Sequence, residues 1–380
     1  MKDSAFERDN NMKNFRLILS RSLSIFVILS LLILTSCDSA AKGILFMRKN
    51  DKSVFTQRSV VTSGDYQGYG DYTEFAKPEF LIPGLSEGFR PQGMDVWAEK
   101  SLLLISGYFK NTFYSPSSVI FAIDIDSGEY VNHYHIKNPD GTYHTGHAGG
   151  IAVTTKNLFI SNDEKLLRIP LSQISELGSS ESVIIAEEIS VPVSASFCNY
   201  SRGMLWVGDF HNEDHYPTPK WRHITDDMDK EYAAWAIGYS LNDSESEISE
   251  KTSGNHISYA TPDVVLAIPD HIQGITVTEG NIFLSQSYGR KNDSSILIYD
   301  NRINTATADN VELNGERIPV WFLSDTVSSY NAPPMSQALT VYDGILLILY
   351  ESGASYYRLF GAKAPTDHVW GIDLKNSGYN

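Results

Sequence analysis

The strongest constraint on the fold is a pattern of short strands that returns five times. From Ile272 the chain reads "IQGITVTEGNIFLSQSYGRKNDSSILIYD". An alternating apolar run is followed by a Glu-Gly-Asn turn, a second run, a polar loop and a third run. β-Branched and aromatic residues on alternate positions, punctuated by turn residues, describe an antiparallel meander. The same plan begins at Pro91 ("PQGMDVWAEKSLLLISGYF"), Gly149 ("GGIAVTTKNLFISNDEKLLRIPL"), Ser196 ("SFCNYSRGMLWVGDF") and Ser336 ("SQALTVYDGILLILYESG"). Aligned, Gln92, Gly149, Ser196, Gln273 and Gln337 fall at one repeat position. A small meander cannot bury both faces by itself. Repeats with a period above about 40 residues therefore stack around an axis as propeller blades.

The last repeat ends after its third strand, "DHVWGIDL", and lacks an outer one. The segment "PEFLIPG" at residues 78–84 precedes the first repeat and offers a spare strand. The expected fold is all-β: a five-bladed β-propeller closed by an N-terminal outer strand at residues 79–83. Closure removes the unpaired edges of an open array. The long third repeat hides no sixth blade, because "HNEDHYPTPKWRHITDDMDKEY" and "NDSESEISEKTSGN" contain no apolar alternation.

Before the repeats, Lys13, Arg16 and Arg21 precede a short apolar run at residues 22–36. The run is shorter than the roughly 20 residues a membrane span needs, and a basic flank before a short apolar core is a secretory signal pattern. It ends in Leu34-Thr35-Ser36-Cys37, which resembles the lipobox of bacterial lipoproteins. That resemblance implies lipidation of Cys37 and an exported protein anchored to a membrane through lipid alone, at the periplasmic face or the cell surface. The expected organisation is a lipoprotein signal at 1–37, a tether or N-terminal extension at 38–77, the propeller at 78–374 and a C-terminal tail at 375–380.

The formal net charge is −16. Phosphate backbones are bound by clustered Lys and Arg, so nucleic acid is not an expected partner. Of the 2 cysteines, Cys37 is assigned to lipid. Cys198 sits in the apolar alternation "SASFCNYS", where it reads as a small buried hydrophobe. No disulfide framework and no cysteine-based metal site are expected.

In a propeller, the loop leading into each inner strand and the loop leaving each second strand converge at one mouth of the channel. The loops leading in carry Arg90, Gln92, His144, His147, Asp270, His271, Gln273 and Gln337. The loops leading out carry Tyr108, Asn162, Asp163, Asp209, His211, Tyr288, Arg290 and Glu351. The hairpins of the other face ("TTKN", "YSRG", "TEGN", "VYDG") are short turns, which marks the first mouth as the functional face. Arg290 beside Tyr288 is the anion-binding candidate, because a guanidinium offers a planar fork to a carboxylate or phosphate. Gln92, Gln273, Gln337, His144 and Glu351 complete the ligand-binding set. Asp270, His271, Asp209 and His147 are the catalytic candidates. "HTGH" has no diagnostic metal spacing, and no metal is expected. No nucleophile elbow, Walker loop or H-E-x-x-H pattern is present, so no cofactor follows from the sequence.

From "PQGMD" through "PDGTYHTGHAGGIAV", "IQGITV", "SYGRKNDS" and "APPMSQAL" to "TDHVWGIDL", the chain resembles a group of secreted bacterial β-propeller proteins. This resemblance implies fold and export. A weaker one, to the five-bladed glutamine cyclotransferases, rests on the Gln-Gly strand start and on "SYGRKNDSSILIYD". Those enzymes use acidic residues at blade starts, where this chain has Gln92, Gly149, Ser196, Gln273 and Gln337. Three functions are therefore expected in order. The first is a binder of a small polar or anionic ligand, or of an envelope protein, at the His/Asp/Arg-rich mouth. The second is a hydrolase or cyclotransferase-like enzyme using the same face. The third is an envelope scaffold without a small-molecule site.

Overall fold

A computed structural model describes residues 55–61, 66–110, 117–176, 182–241, 248, 250–251, 259–303 and 309–379. The signal region and Cys37 lie outside the described residues. The chain forms a five-bladed β-propeller. Blade 1 runs through Phe89–Trp97, Leu102–Phe109, Ser118–Asp124 and Tyr130–Lys137. Blade 2 comprises Gly150–Val153, Asn157–Asn162, Lys165–Pro170 and Glu187–Ser190. Blade 3 comprises Phe197–Ser201, Met204–Gly208, Ala234–Ser240 and Val264–Ile268. Blade 4 comprises Ile272–Val277, Asn281–Gln286, Ser294–Asp300 and Ser328–Ala332.

Blade 5 takes three strands from the C-terminal end, Ser336–Tyr342, Ile345–Tyr350 and His368–Asp373, and its outer strand, Ala76–Leu81, from the N-terminal side. That strand pairs antiparallel with His368–Asp373, with Ala76 opposite Ile372 and Leu81 opposite His368. The closure expected from the sequence is present, a few residues earlier than 79–83. The N–H of Ile82 continues the pairing in the same register, donating to Asp367 O at 2.9 Å.

The repeated glycines at the inner-strand starts have a steric cause. A Cβ on Gly93 would collide with the Gly150–Ile151 backbone, one on Gly150 with Phe197–Cys198, and one on Gly274 with Gln337–Ala338. Each is the inner strand of the next blade or, for Gly274, of blade 5. Only a residue without a side chain lets neighbouring inner strands approach this closely.

The apolar residues gather in one buried cluster per blade seam. Phe159, Cys198 and Trp235 join blades 2 and 3, while Phe197, Leu266, Ile275 and Leu284 join blades 3 and 4. Burial pushes the Cys198 thiol up to about 12, which keeps it protonated and inert.

Two seams carry an addition that the strand pattern did not announce. Ser182–Ile184, from the connection inside repeat two, pairs parallel with the outer strand of blade 1. Glu316–Phe322, from the connection inside repeat four, pairs parallel with the outer strand of blade 3 and forms a hairpin with Asp309–Leu313. In both cases a later repeat clasps the blade before it and covers an outer edge.

Candidate functional site

At the mouth where second strands end lies a cavity of about 670 Å³, and every blade contributes to its wall. Blade 1 supplies Gln92 and Tyr108, and blade 2 supplies His147, Asn162, Asp163 and Glu164. Blade 3 supplies Phe210, Tyr216 and Arg222, blade 4 supplies Gln273, Tyr288 and Arg290, and blade 5 supplies Glu351 and Tyr357. Of the residues singled out from the sequence, Gln92, Tyr108, His147, Asn162, Asp163, Gln273, Tyr288, Arg290 and Glu351 meet here.

Glu351 is the most unusual group in the wall. It follows Ile345–Tyr350 directly, so the end of a core strand fixes its backbone. Gln92 Nε2 donates to Glu351 Oε2 at 2.9 Å, bridging blade 1 to blade 5. The Tyr357 hydroxyl and the Gln337 amide also bond the carboxyl. Burial pushes it up to about 7, although Tyr357, Gln92, Arg90 and Gln337 all favour the ionised form. A carboxyl balanced between its two protonation states near neutral pH, in a cavity wall, marks a site for proton exchange or ligand contact.

Its nearest cation is not paired with it. The Arg90 guanidinium is caged by three tyrosines, 4.4 Å from the Tyr356 ring centroid, 5.4 Å from Tyr357 and 5.6 Å from Tyr108. Its buried Nε has no partner. Cation–π contacts and a hydrogen bond with the Tyr108 side chain hold the guanidinium, which acts on Glu351 through its charge alone, while neutral donors supply the carboxyl's hydrogen bonds.

Arg290 stands on the blade 4 side of the cavity. Its contacts are a long hydrogen bond from Nη1 to Phe360 O, 3.4 Å, and the Tyr356 ring at 5.9 Å. Among the described residues it has no carboxylate partner. An aromatic wall runs beside it: Tyr288 stacks on His271 at 4.9 Å and 9°, and Phe210 packs on Tyr288 at 6.0 Å and on Tyr216 at 5.5 Å. Across the mouth, the His147 ring stands edge-on to Tyr108 at 4.8 Å.

The other candidates lie elsewhere. Asp209 is fully buried beneath the blade 3 loop. It accepts from Arg222 Nη1 at 2.8 Å, Ser194 N at 2.7 Å, Ser194 Oγ at 2.9 Å and Trp235 N at 3.1 Å. Asp270 is exposed, and its backbone carbonyl accepts from Gln286 Nε2. His271 sits behind Tyr288, in the left-handed region at φ 65°, with Nε2 at 2.8 Å from Asn212 Nδ2. His144 Nδ1 bonds Asn138 Oδ1 at 3.2 Å. Gln337 is buried and reaches the site only through Glu351.

The sequence reading did not single out Arg222, Phe210, Tyr216, Tyr356 or Tyr357 as site residues. The Tyr-Tyr pair in "ESGASYY" is the available signal, five and six residues beyond the outgoing glutamate. Among the described residues no group of three His, Cys, Asp or Glu side chains is placed to hold a metal ion.

No family model matches this chain, and no curated protein matches it in sequence. Solved structures similar to it include hydrazine synthase of Kuenenia stuttgartiensis, at TM-score 0.32 and 11% identity, covering 70% of this chain and 56% of that one. Myxococcus xanthus glutaminyl cyclase is similar at TM-score 0.35 and 10% identity, covering 73% of this chain and 91% of that one. The computationally designed Ika8 protein is similar at TM-score 0.28 and 11% identity, covering 75% and 71%. At these scores none of the three bears on ligand or chemistry.

Proposed function

We propose that this propeller is an exported, lipid-anchored domain that binds a small polar ligand with an anionic group in its mouth cavity. One observation carries the reading. Arg290, without a carboxylate partner among the described residues, and the buried Glu351 share a 670 Å³ cavity walled by aromatic rings. Ligand sites are commonly concave, largely apolar and furnished with a few convergent polar groups. An anionic group seats on the Arg290 fork, the ligand body lies along Tyr288 and Phe210, and Gln92, Gln273 and Glu351 take its polar groups. The cavity also weighs against a scaffold role alone, since a scaffold needs no such mouth.

The test is a thermal-shift screen of small anions on the full chain and on Arg290→Ala, from pH 5.5 to 8. Ligands that stabilise the parent should fail to stabilise the variant. Equal shifts would move the site elsewhere. The anchor rests on Leu34-Thr35-Ser36-Cys37 and its basic flank; fatty-acid labelling of the parent but not of Cys37→Ala is the expected result.

A second reading, a hydrolase or cyclotransferase-like enzyme, draws on one observation only. Glu351 is raised to about 7 and faces the cavity, as a general acid–base must. On that reading Glu351 takes the role first looked for in Asp270, His271, Asp209 and His147. A turnover that survives Glu351→Gln would dismiss it.

A further inference from the structure

Residues 55–61 cross the seam between blades 1 and 5 without joining any sheet. One end is held by blade 1. Phe55 is buried, stacked on Phe109 at 5.2 Å and edge-on to Phe121 at 5.1 Å and His133 at 4.7 Å. Gln57 Nε2 donates to Leu81 O at 2.9 Å and Gly128 O at 2.8 Å, and Gln57 Oε1 accepts from Tyr130 N at 2.6 Å.

The other end is held by a single carboxylate of blade 5. Asp367 Oδ2 accepts from Val60 N at 2.7 Å, Val61 N at 2.9 Å and Ser59 Oγ at 2.9 Å. Burial works to raise that carboxyl, but His368 and these donors outweigh it and hold it well below the usual carboxylate range.

At the Asp367 end, one side chain joins this segment to the site. Arg358 Nη1 donates to Val60 O at 3.3 Å, while its Nε donates to Gly353 O at 2.8 Å. Arg358 belongs to the short helix Ser355–Leu359. Tyr356 and Tyr357 of the same helix cage Arg90, Tyr356 faces Arg290, and Tyr357 bonds Glu351. The helix is a single turn with Tyr356, Leu359 and Phe360 turned to solvent; its packing is limited to Tyr357, which rests on the core between blades 1 and 5, and a bond from Ser355 N to Leu85 O, so few contacts fix its position.

We propose that residues 55–61 are a control strap for the mouth: docked on Phe109 and Asp367, they hold the 355–360 turn through Arg358 in its ligand-ready position, and undocked they let it swing away. This regulation rests on reading the mouth as the ligand site. The strap joins no ladder: apart from Thr56 O, which accepts from Gly84 N, its hydrogen bonds each use a side chain on one side or the other, so it undocks without opening any blade. Two backbone N–H groups and one hydroxyl depend on the same Asp367 oxygen, so they are lost together.

Hydrogen exchange of the full chain, without any ligand, tests the coupling. Phe55→Ala frees the strap at its blade 1 end, far along the chain from the turn. Amides of residues 357–362 should then exchange several-fold faster, while the strands of blades 2 and 3 keep parental rates. Arg358→Gln should loosen the same amides, and adding Phe55→Ala to it should have no further effect. Faster exchange confined to residues 55–61, or additive effects of the two substitutions, would overturn the proposal. Should Phe55→Ala fold poorly, Asp367→Ala, which removes the shared acceptor, releases the strap from its other end and carries the same expectations.

A carbon-13 titration of the Glu351 carboxyl supplies the readout that packing alone would not move. Loosening Tyr357 removes a donor to the ionised form, so undocking should shift the titration upward by roughly half a unit or more. An unchanged titration would show that the strap stops short of the site. Neither measurement involves ligand, so failure here and failure of the binding reading are told apart.

Discussion

Asp209 and Glu351 occupy the same place in two different blades. Each is the first residue after a second strand, Met204–Gly208 for one and Ile345–Tyr350 for the other. Both carboxyls are buried at the same mouth, and burial raises both. Their partners differ. Asp209 meets Arg222 at 2.8 Å and takes two backbone donors and a serine hydroxyl. That set compensates the charge and pins the long blade 3 loop to the ring. Glu351 meets two amides and a tyrosine, and its nearest guanidinium is held by aromatic rings. The repeat position thus delivers burial, and the partner set decides whether the carboxyl is a rivet in an ion pair or is left to neutral hydrogen-bond donors.

The largest expected effect tests the rivet. Arg222→Ala leaves Asp209 buried and unpaired, which costs about 3–5 kcal/mol when one partner of a buried pair is removed. Urea denaturation measures it, and a loss below about 1 kcal/mol would end the contrast.

The next tests the other carboxyl through pH. Folding raises Glu351 above its ordinary value to about 7, so the folded state holds the proton more tightly than the unfolded one. Its contribution is therefore complete in acid and is lost as pH rises to about 7. Asp95, buried and also raised to about 7, adds a slope of the same sign. The parent should lose stability between pH 5 and 8, and Glu351→Gln should remove up to about 3 kcal/mol of that loss. At pH 8 the variant should be at least as stable as the parent. Parallel stability–pH curves would mean that Glu351 ionises as an exposed glutamate does.

A smaller effect is expected at Arg290, whose side chain faces the cavity and is held only by a long bond to Phe360 O and the Tyr356 ring. Arg290→Ala should change stability by less than about 1 kcal/mol and weaken anion binding by about 1.5–3 kcal/mol. Calorimetry on an anion from the thermal-shift screen separates the two. Loss of stability without loss of binding would make it a rivet as well.

The smallest effect falls on His271. Removing its ring from the Tyr288 stack should cost about 0.5–1.5 kcal/mol, read as a shift in the unfolding midpoint. A larger loss would place the Tyr288–His271 wall among the supports of the ring.

The strand pattern and the ring closure are legible in the sequence. Alternation with period two and its turn residues are local properties, and local properties are written residue by residue. Gln-Gly at the blade starts carried more than it first disclosed. The glycine answers to the neighbouring inner strand, and Gln92 answers to Glu351 of another blade. The parallel clasps at Ser182–Ile184 and Glu316–Phe322 were not legible, because a lone strand inside a long connection has no periodic partner in sequence.

The sequence by itself determined which loops face the mouth and which chemical groups those loops carry, since both follow from strand order. Only the tertiary structure decided what each group does. Arg222 lies thirteen residues from Asp209 along a loop with no pattern, yet the fold seals the pair from water. Arg90 and Glu351 lie far apart in the chain and share a buried corner, where tyrosines of a short helix cover the guanidinium and one of them, Tyr357, also bonds the carboxyl. Desolvation and pairing act through space at a few ångströms, and only the folded ring sets those distances.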